Sequence, residues 1–174
     1  MFVAELFSKG TSQMTRYLQI FLIGAAFAAL TGGCGGGDDT IDIQIFPAIY
    51  DTDPQAPPPE GWQRLTFEGN LRSRPATVLV GTVPLLTGWN ILAFHAAEET
   101  DGSRAISIRL NAYGQSKMKQ YCAEEGRLKQ PLAMRVDDRW ADVSPLLTNV
   151  TDRMTMYGLQ PEETDRLQRW IEIR

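Results

Sequence analysis

The chain has few of the residues from which catalytic and metal centres are usually built. Among 174 residues there is one histidine, His95, and there are two cysteines, Cys34 and Cys122. No histidines or cysteines recur at zinc-ligand spacing, and two cysteines exclude a disulfide-rich scaffold. Basic residues are not in excess: 17 Lys and Arg stand against 21 Asp and Glu, a net charge of −4. Nucleic-acid binding needs clustered basic side chains, so that partner is excluded. No apolar run reaches the roughly 20 residues of a comfortable membrane span. The glycines after Cys34 are not followed by Gly-Lys-Ser/Thr, so they do not make a phosphate loop. No internal repeat or heptad pattern occurs.

What is present begins with targeting. Arg16 precedes the apolar run Leu18 to Leu30 (LQIFLIGAAFAAL), which fits the central region of a secretory signal. Met14-Thr15-Arg16 makes a better start to such a signal than Met1, because residues 1–13 place an acid, Glu5, ahead of the basic end. Residues 1–33 are therefore read as a signal peptide with Met14 as its expected start. Leu30-Thr31-Gly32-Gly33-Cys34 resembles a bacterial lipobox, with Thr31 where leucine is usual. The resemblance implies that cleavage leaves Cys34 as the N-terminus, its thiol carrying diacylglycerol and its amine an acyl chain. Gly35 rather than aspartate in the next position implies sorting to the outer membrane. Cleavage removes Lys9, Arg16 and Glu5, which leaves 15 basic and 20 acidic side chains and a net charge near −5.

Residues 34–60 read as a lipidated cysteine and a tether. Gly35 to Gly37 make its first part flexible, and Pro54 and Pro57 to Pro59 extend the second. Ile41, Ile43 and Ile45 alternate with polar residues and suggest a short strand within it. The folded domain is expected over 61–174, long enough for one core. Trp62–Gly69, Ala76–Thr82 and Asn90–Ala97 read as strands, with Asp101-Gly102 as a hairpin turn before the strand Ala105–Leu110. Asn111 is expected to cap a helix over Ala112–Glu125, which Gly126 ends.

The stretch from Ala105 to Ile173 is the best-patterned part. Ile106, Ile108 and Leu110 alternate with Ser107 and Arg109; Leu132, Met134 and Val136 with Ala133, Arg135 and Asp137; and Met154 and Met156 with Arg153, Thr155 and Tyr157. Pro161, Glu162 and Glu163 write the start of a last helix, and Leu167, Trp170 and Ile171 give it one apolar face. Residues Leu86 to Ile171 resemble the periplasmic head subdomain of SecD, an accessory subunit of bacterial protein export. The resemblance lies in Leu86-Thr87-Gly88 with Asn90-Ile91, in Ala105 to Gly114 (AISIRLNAYG), and in Leu132 to Thr164. Cys122 and Thr164 depart from the family's usual threonine and alanine, and the sequence has no counterpart of the export protein's membrane-spanning part. The resemblance implies an α+β domain with a mainly antiparallel sheet and the helices Ala112–Glu125 and Pro161–Ile173 packed on one face. It also implies a non-enzymatic binding module.

Candidate chemistry is sparse. A Cys122 thiol with His95 would make a hydrolase or other enzyme, but no orienting acid stands at a recognisable spacing. Glu98, Glu99 and Asp101 lack the alternating ligands of a calcium loop, and Asp137-Asp138 reads as turn chemistry. No catalytic, cofactor-binding or metal residue is assigned. The one modification site is Cys34, and the expected partners are the membrane, through the lipid on Cys34, and an envelope protein or extended polypeptide. The expected place is the cell envelope, lipid-anchored and facing the periplasm.

Overall fold

The computed structural model describes residues 40–150 and 152–173. The signal peptide, Cys34 and the glycines after it lie outside the described residues. The fold is α+β. In chain order it has strands β1 (Ile43–Tyr50), β2 (Trp62–Phe67), β3 (Ala76–Gly81) and β4 (Leu86–Thr87), and a 3-10 turn, Gly88–Asn90. Strands β5 (Ile91–Glu98) and β6 (Arg104–Leu110) precede helix α1 (Ala112–Ala123). Strands β7 (Pro131–Val136), β8 (Arg139–Pro145) and β9 (Arg153–Leu159) then lead to helix α2 (Pro161–Ile173).

All strand pairs among the described residues are antiparallel, but they form two sheets rather than the single one expected. One has the order β2-β3-β1-β7-β8, with β4 paired to β1; the other has the order β5-β6-β9. Both helices sit against the second sheet, α1 on β6 and α2 on β5. The main core lies between them. Ile43, Ile45, Leu132 and Met134 of the first sheet meet Ile106, Ile108 and Met156 of the second, with Met118, Tyr121 and Leu167 from the helices. A second, smaller core on the other face of the first sheet gathers Phe46, Val78, Val80 and Val143.

The boundary read at residue 60 is corrected by β1. That strand, read as a short strand within the tether that Gly35 to Gly37, Pro54 and Pro57 to Pro59 suggest, is the centre of the first sheet. It pairs with β7 along Ile43 to Pro47, with β4 at Gln44 and Ile45, and with β3 from Ala48 to Tyr50. It is buried on both faces, because Ile43 and Ile45 enter the main core while Phe46 and Ala48 enter the smaller one. Pro47 is tolerated for a specific reason. The Ile45 carbonyl accepts from Leu85 on the β4 side, so Pro47 two residues on turns its nitrogen to the same side. There it meets the gap between β4 and β3, where no N–H is needed.

The helix starts are as the residues imply. The Asn111 side chain accepts the Gly114 N–H at 2.8 Å and donates to the Trp89 carbonyl at 2.8 Å. The Glu163 carboxylate accepts the Gln160 N–H at 2.7 Å, closing the start of α2. The anchoring residue of α2 is Leu167, at 0% exposure, and not Ile171, which packs only partly buried against the core. Leu167→Ala is expected to cost about 2–5 kcal/mol. Ile171→Ala should cost clearly less, since part of that side chain keeps its water. Urea midpoints of the two variants test this; an equal loss at both positions would contradict the packing.

Candidate functional site

The sequence-nominated residues do not come together. His95 lies on the outer face of the three-stranded sheet, exposed, in line with Ser107 and Thr155. Cys122 sits half-buried on α1, against the main core on the inner face of that sheet. The sheet separates the two, so they form no dyad. His95 does not share its face with Ile91, as a regular strand over Asn90–Ala97 would have it: a bulge at Leu92 leaves Ile91 opposite Leu110 on the core side and Ala93 opposite Arg109 on the outer side. Among the described residues no group of His, Cys, Asp and Glu could hold a metal ion.

The acids of the turns are engaged in local structure. Glu99 pairs with Arg72 at 2.7 Å. Asp101 accepts both the hydroxyl and the N–H of Ser103, at 2.6 and 2.9 Å, and these bonds hold its carboxyl below the usual range. Asp137 adopts a left-handed backbone, φ 51°, at the tip of the β7–β8 hairpin. Burial pushes the Asp137 carboxyl up. The Asp42 N–H at 3.0 Å and the Arg166 guanidinium at 2.8 Å outweigh this and hold it below its ordinary value. Asp138 beside it is exposed. A hollow of about 610 Å³ opens there, walled by Thr40, Trp89, Asp137, Arg166 and Trp170. Trp89 and Trp170 meet edge-on at 5.1 Å, and a side chain at Gly88 would press on Trp170. Leu86-Thr87-Gly88 thus serves to seat α2.

One residue of consequence was missed. Asp142, in β8, is fully buried. One oxygen accepts from Asn70 at 3.2 Å and Ser73 at 2.7 Å; the other accepts from Ser144 at 2.7 Å and the Tyr157 N–H at 3.0 Å. A buried carboxylate is tolerable only when its lone pairs are so filled. The Tyr157 bond ties β8, an edge of the first sheet, to β9, an edge of the second. Arg139 adds another tie, donating to the Gly158 carbonyl at 3.0 Å. The signal in the sequence was an aspartate among apolar neighbours, Trp140-Ala141-Asp142-Val143; its partners from Asn70 and Ser73 gave none.

These ties close the β8 and β9 edges against each other; β2, at the far end of the first sheet, and β5 each keep a single strand neighbour among the described residues. β8 and β9 face each other and are bridged by side chains. β5, by contrast, has β6 as its only hydrogen-bonded strand neighbour among the described residues. Its orientation follows from the ladder. Leu110 donates to Asp152 on the β9 side, and Glu99 donates to Ser103 across the hairpin. Alternation then turns Ala93, His95 and Ala97 toward β6, and points the N–H and C=O groups of Phe94, Ala96 and Glu98 outward. From Ala93 to Glu98 this edge carries no lysine or proline, two common devices that discourage further pairing. Only the Leu92 bulge interrupts it, at one end.

The molecule is thus of the α+β class, with two antiparallel sheets and two helices around a shared core. No protein-family model and no curated protein matches the chain. Among solved structures it is similar to SecDF. The structure described as a membrane component SecDF that enhances protein export aligns at 14% identity with a TM-score of 0.46, over 75% of this chain and 61% of that one. SecDF in its super-membrane-facing form aligns at 15% identity with a TM-score of 0.46, over 75% of this chain and 18% of the other. The chain therefore spans less than two thirds of either structure. Among the described residues no helix is long and apolar enough to cross a membrane.

Proposed function

We propose that this protein is a lipid-anchored binding module of the bacterial envelope that captures an extended polypeptide along β5. The observation that carries the reading is the open edge of that strand, with the backbone groups of Phe94, Ala96 and Glu98 directed away from the sheet. An extended segment adds to such an edge through main-chain hydrogen bonds, while its alternate side chains set specificity. The separation of His95 and Cys122 favours binding over the alternative of an enzyme. The resemblance of Leu86 to Ile171 to the export-protein head supports unfolded or extended polypeptide as the ligand class, with protein export as its setting.

Anchoring rests on the apolar run that ends at Gly33-Cys34. Because the fold begins by Thr40, the connection from Cys34 is six residues long by position. It reaches at most about 20 Å when extended. The domain would work close to the bilayer, on the periplasmic face of the outer membrane. Cys34→Ala is expected to abolish incorporation of labelled palmitate and to leave precursor uncut. A variant that still takes up label and still fractionates with membranes would remove the anchor from this reading.

The edge is tested by Ala96→Pro. Proline deletes an N–H that points away from β6 and suits an edge strand, so the fold should persist. A photo-crosslinking side chain at Glu98 is expected to trap polypeptide in intact cells, and Ala96→Pro to cut the yield about tenfold. Undiminished crosslinking in the proline variant, with an unchanged urea midpoint, sinks strand addition. If instead Cys122→Ser, a change away from β5, abolishes complementation of a deletion while the protein stays folded and abundant, the enzyme alternative takes its place.

A further inference from the structure

The outer face of the three-stranded sheet carries a charge arrangement that the fold does not explain. Arg109 of β6 and Arg153 of β9 are direct cross-strand partners. The ladder makes them a non-hydrogen-bonded pair, the kind in which side chains stand closest. Like charges set opposite each other on a sheet are destabilising. Arg153 has Asp152 at 3.6 Å, with side-chain exposures of 68% and 50%, so solvent screens that pair. No salt bridge among the described residues uses Arg109, which is exposed. A chain with a net charge of −4 has thus placed two guanidinium groups together.

The surroundings form a shallow site. Ala93, Arg109 and Arg153 lie in one row across the sheet; His95, Ser107 and Thr155 lie in the next. A depression of about 260 Å³ is lined by Ala93, Phe94, His95, Ser107, Arg109 and Arg153. Ala93 and Ser107 are its small residues and leave the space open. The row ends at β5, the open edge. A segment added to that edge would set one side chain beside Ala93 on this same face. Strands are about 4.8 Å apart, so that side chain would start about 10 Å from the backbone of Arg109, two strand spacings away. A glutamate and an arginine can span that distance over the Ala93 floor.

We infer that the polypeptide captured on β5 is acidic, with a carboxylate side chain received by Arg109 over Ala93, and with Arg153, one strand further on, adding its charge behind. This rests on the strand-addition reading and names its specificity. Carboxylate complements the pair in charge and in geometry, because guanidinium and carboxylate form charge-assisted, often bidentate bonds. The bound carboxylate would also relieve the repulsion between the two arginines.

The test uses the full-length chain in detergent and fluorescein-labelled extended peptides of one Ser/Thr/Val sequence. One peptide carries glutamate at alternate positions, the other glutamine. In fluorescence anisotropy the glutamate peptide is expected to bind about tenfold more tightly, with a preference that shrinks as salt rises. Arg109→Gln should remove the preference, leave binding of the glutamine peptide unchanged, and not lower the urea midpoint. Ala96→Pro should abolish binding of both peptides. Equal binding of the two peptides, still blocked by Ala96→Pro, overturns the acidic preference and spares the edge. A glutamate preference lost in Arg109→Gln but unaffected by Ala96→Pro supports the arginine site and overturns strand addition. Binding of neither peptide overturns both.

Discussion

Gly158→Ala is expected to lower stability by about 3–5 kcal/mol, a large share of the 5–15 kcal/mol typical of a domain. Two effects combine at this position. Gly158 has φ 76°, a left-handed backbone that costs an alanine about 1–2 kcal/mol. A Cβ there would also lie 2.2 Å from the carbonyl oxygen of Ala141 and 3.0 Å from Nδ2 of Asn70. The first contact is with backbone, and it cannot be relieved by turning a side chain. Overpacking of that kind adds about 1–3 kcal/mol or more. The position lies where two irregularities meet, the β6–β9 register shift around Gly158 and the β7–β8 shift around Ala141. The strands that carry them belong to different sheets. Pushing them apart would also strain the Arg139 bond to the Gly158 carbonyl. Gly126 provides the control. Its φ is 79°, but a Cβ on Gly126 would meet no atom within 4 Å, so Gly126→Ala should lose only the backbone term of about 1–2 kcal/mol. Urea midpoints separate the two; equal losses at Gly158 and Gly126 would show that the contact with Ala141 has no energetic consequence.

Asp142→Ala is expected to cost about 3–5 kcal/mol for a different reason. It removes no large volume. It strands the donors that converge on the carboxylate, and each buried donor left without a partner costs about 1–3 kcal/mol. The full sum is not reached, because the Ser73 and Ser144 hydroxyls are already 3.0 Å apart and can bond each other. The Tyr157 N–H has no such substitute. Asp142→Asn keeps one oxygen for Asn70 and Ser73 but presents an amide toward the Tyr157 N–H, so its loss should be smaller, about 1–3 kcal/mol. Hydrogen exchange at the Tyr157 amide gives an independent readout and should accelerate in both variants. If Asp142→Ala unfolds at the same urea concentration as the parent and that amide stays protected, the carboxylate does not hold the sheets together. The losses at Asp142 and Gly158 should not add, since both positions touch Asn70 and the Ala141 carbonyl.

Much of the second sheet was legible from local pattern. Strands β6 and β9 alternate cleanly, and the Asn111 and Glu163 helix starts are each written within four residues. The interaction surface was legible only as a class. A set of short strands implies open edges, but that β8 and β9 are not among them depends on Tyr157, Arg139 and Asp142 closing those two strands against each other, which leaves β2 and β5. The Leu92 bulge had no signal either, and it takes Ile91 off the face that carries Ala93 and His95.

The sequence by itself determined the α+β class, the antiparallel pairing of neighbouring strands, both helices with their starts, and the scarcity of catalytic groups. These depend on periodicity, capping chemistry and composition, which act over a few residues. Tertiary structure decided that Ile43 to Tyr50 is a central strand and not tether. It also split the strands into two sheets, buried Asp142 among four donors, and set Arg109 beside Arg153. Each of these depends on groups far apart in the chain. Pro47 is harmless only because β4 and β3 leave a gap beside it. Asp142 is stable only because Asn70 and Ser73, some seventy residues earlier, return to fill its lone pairs.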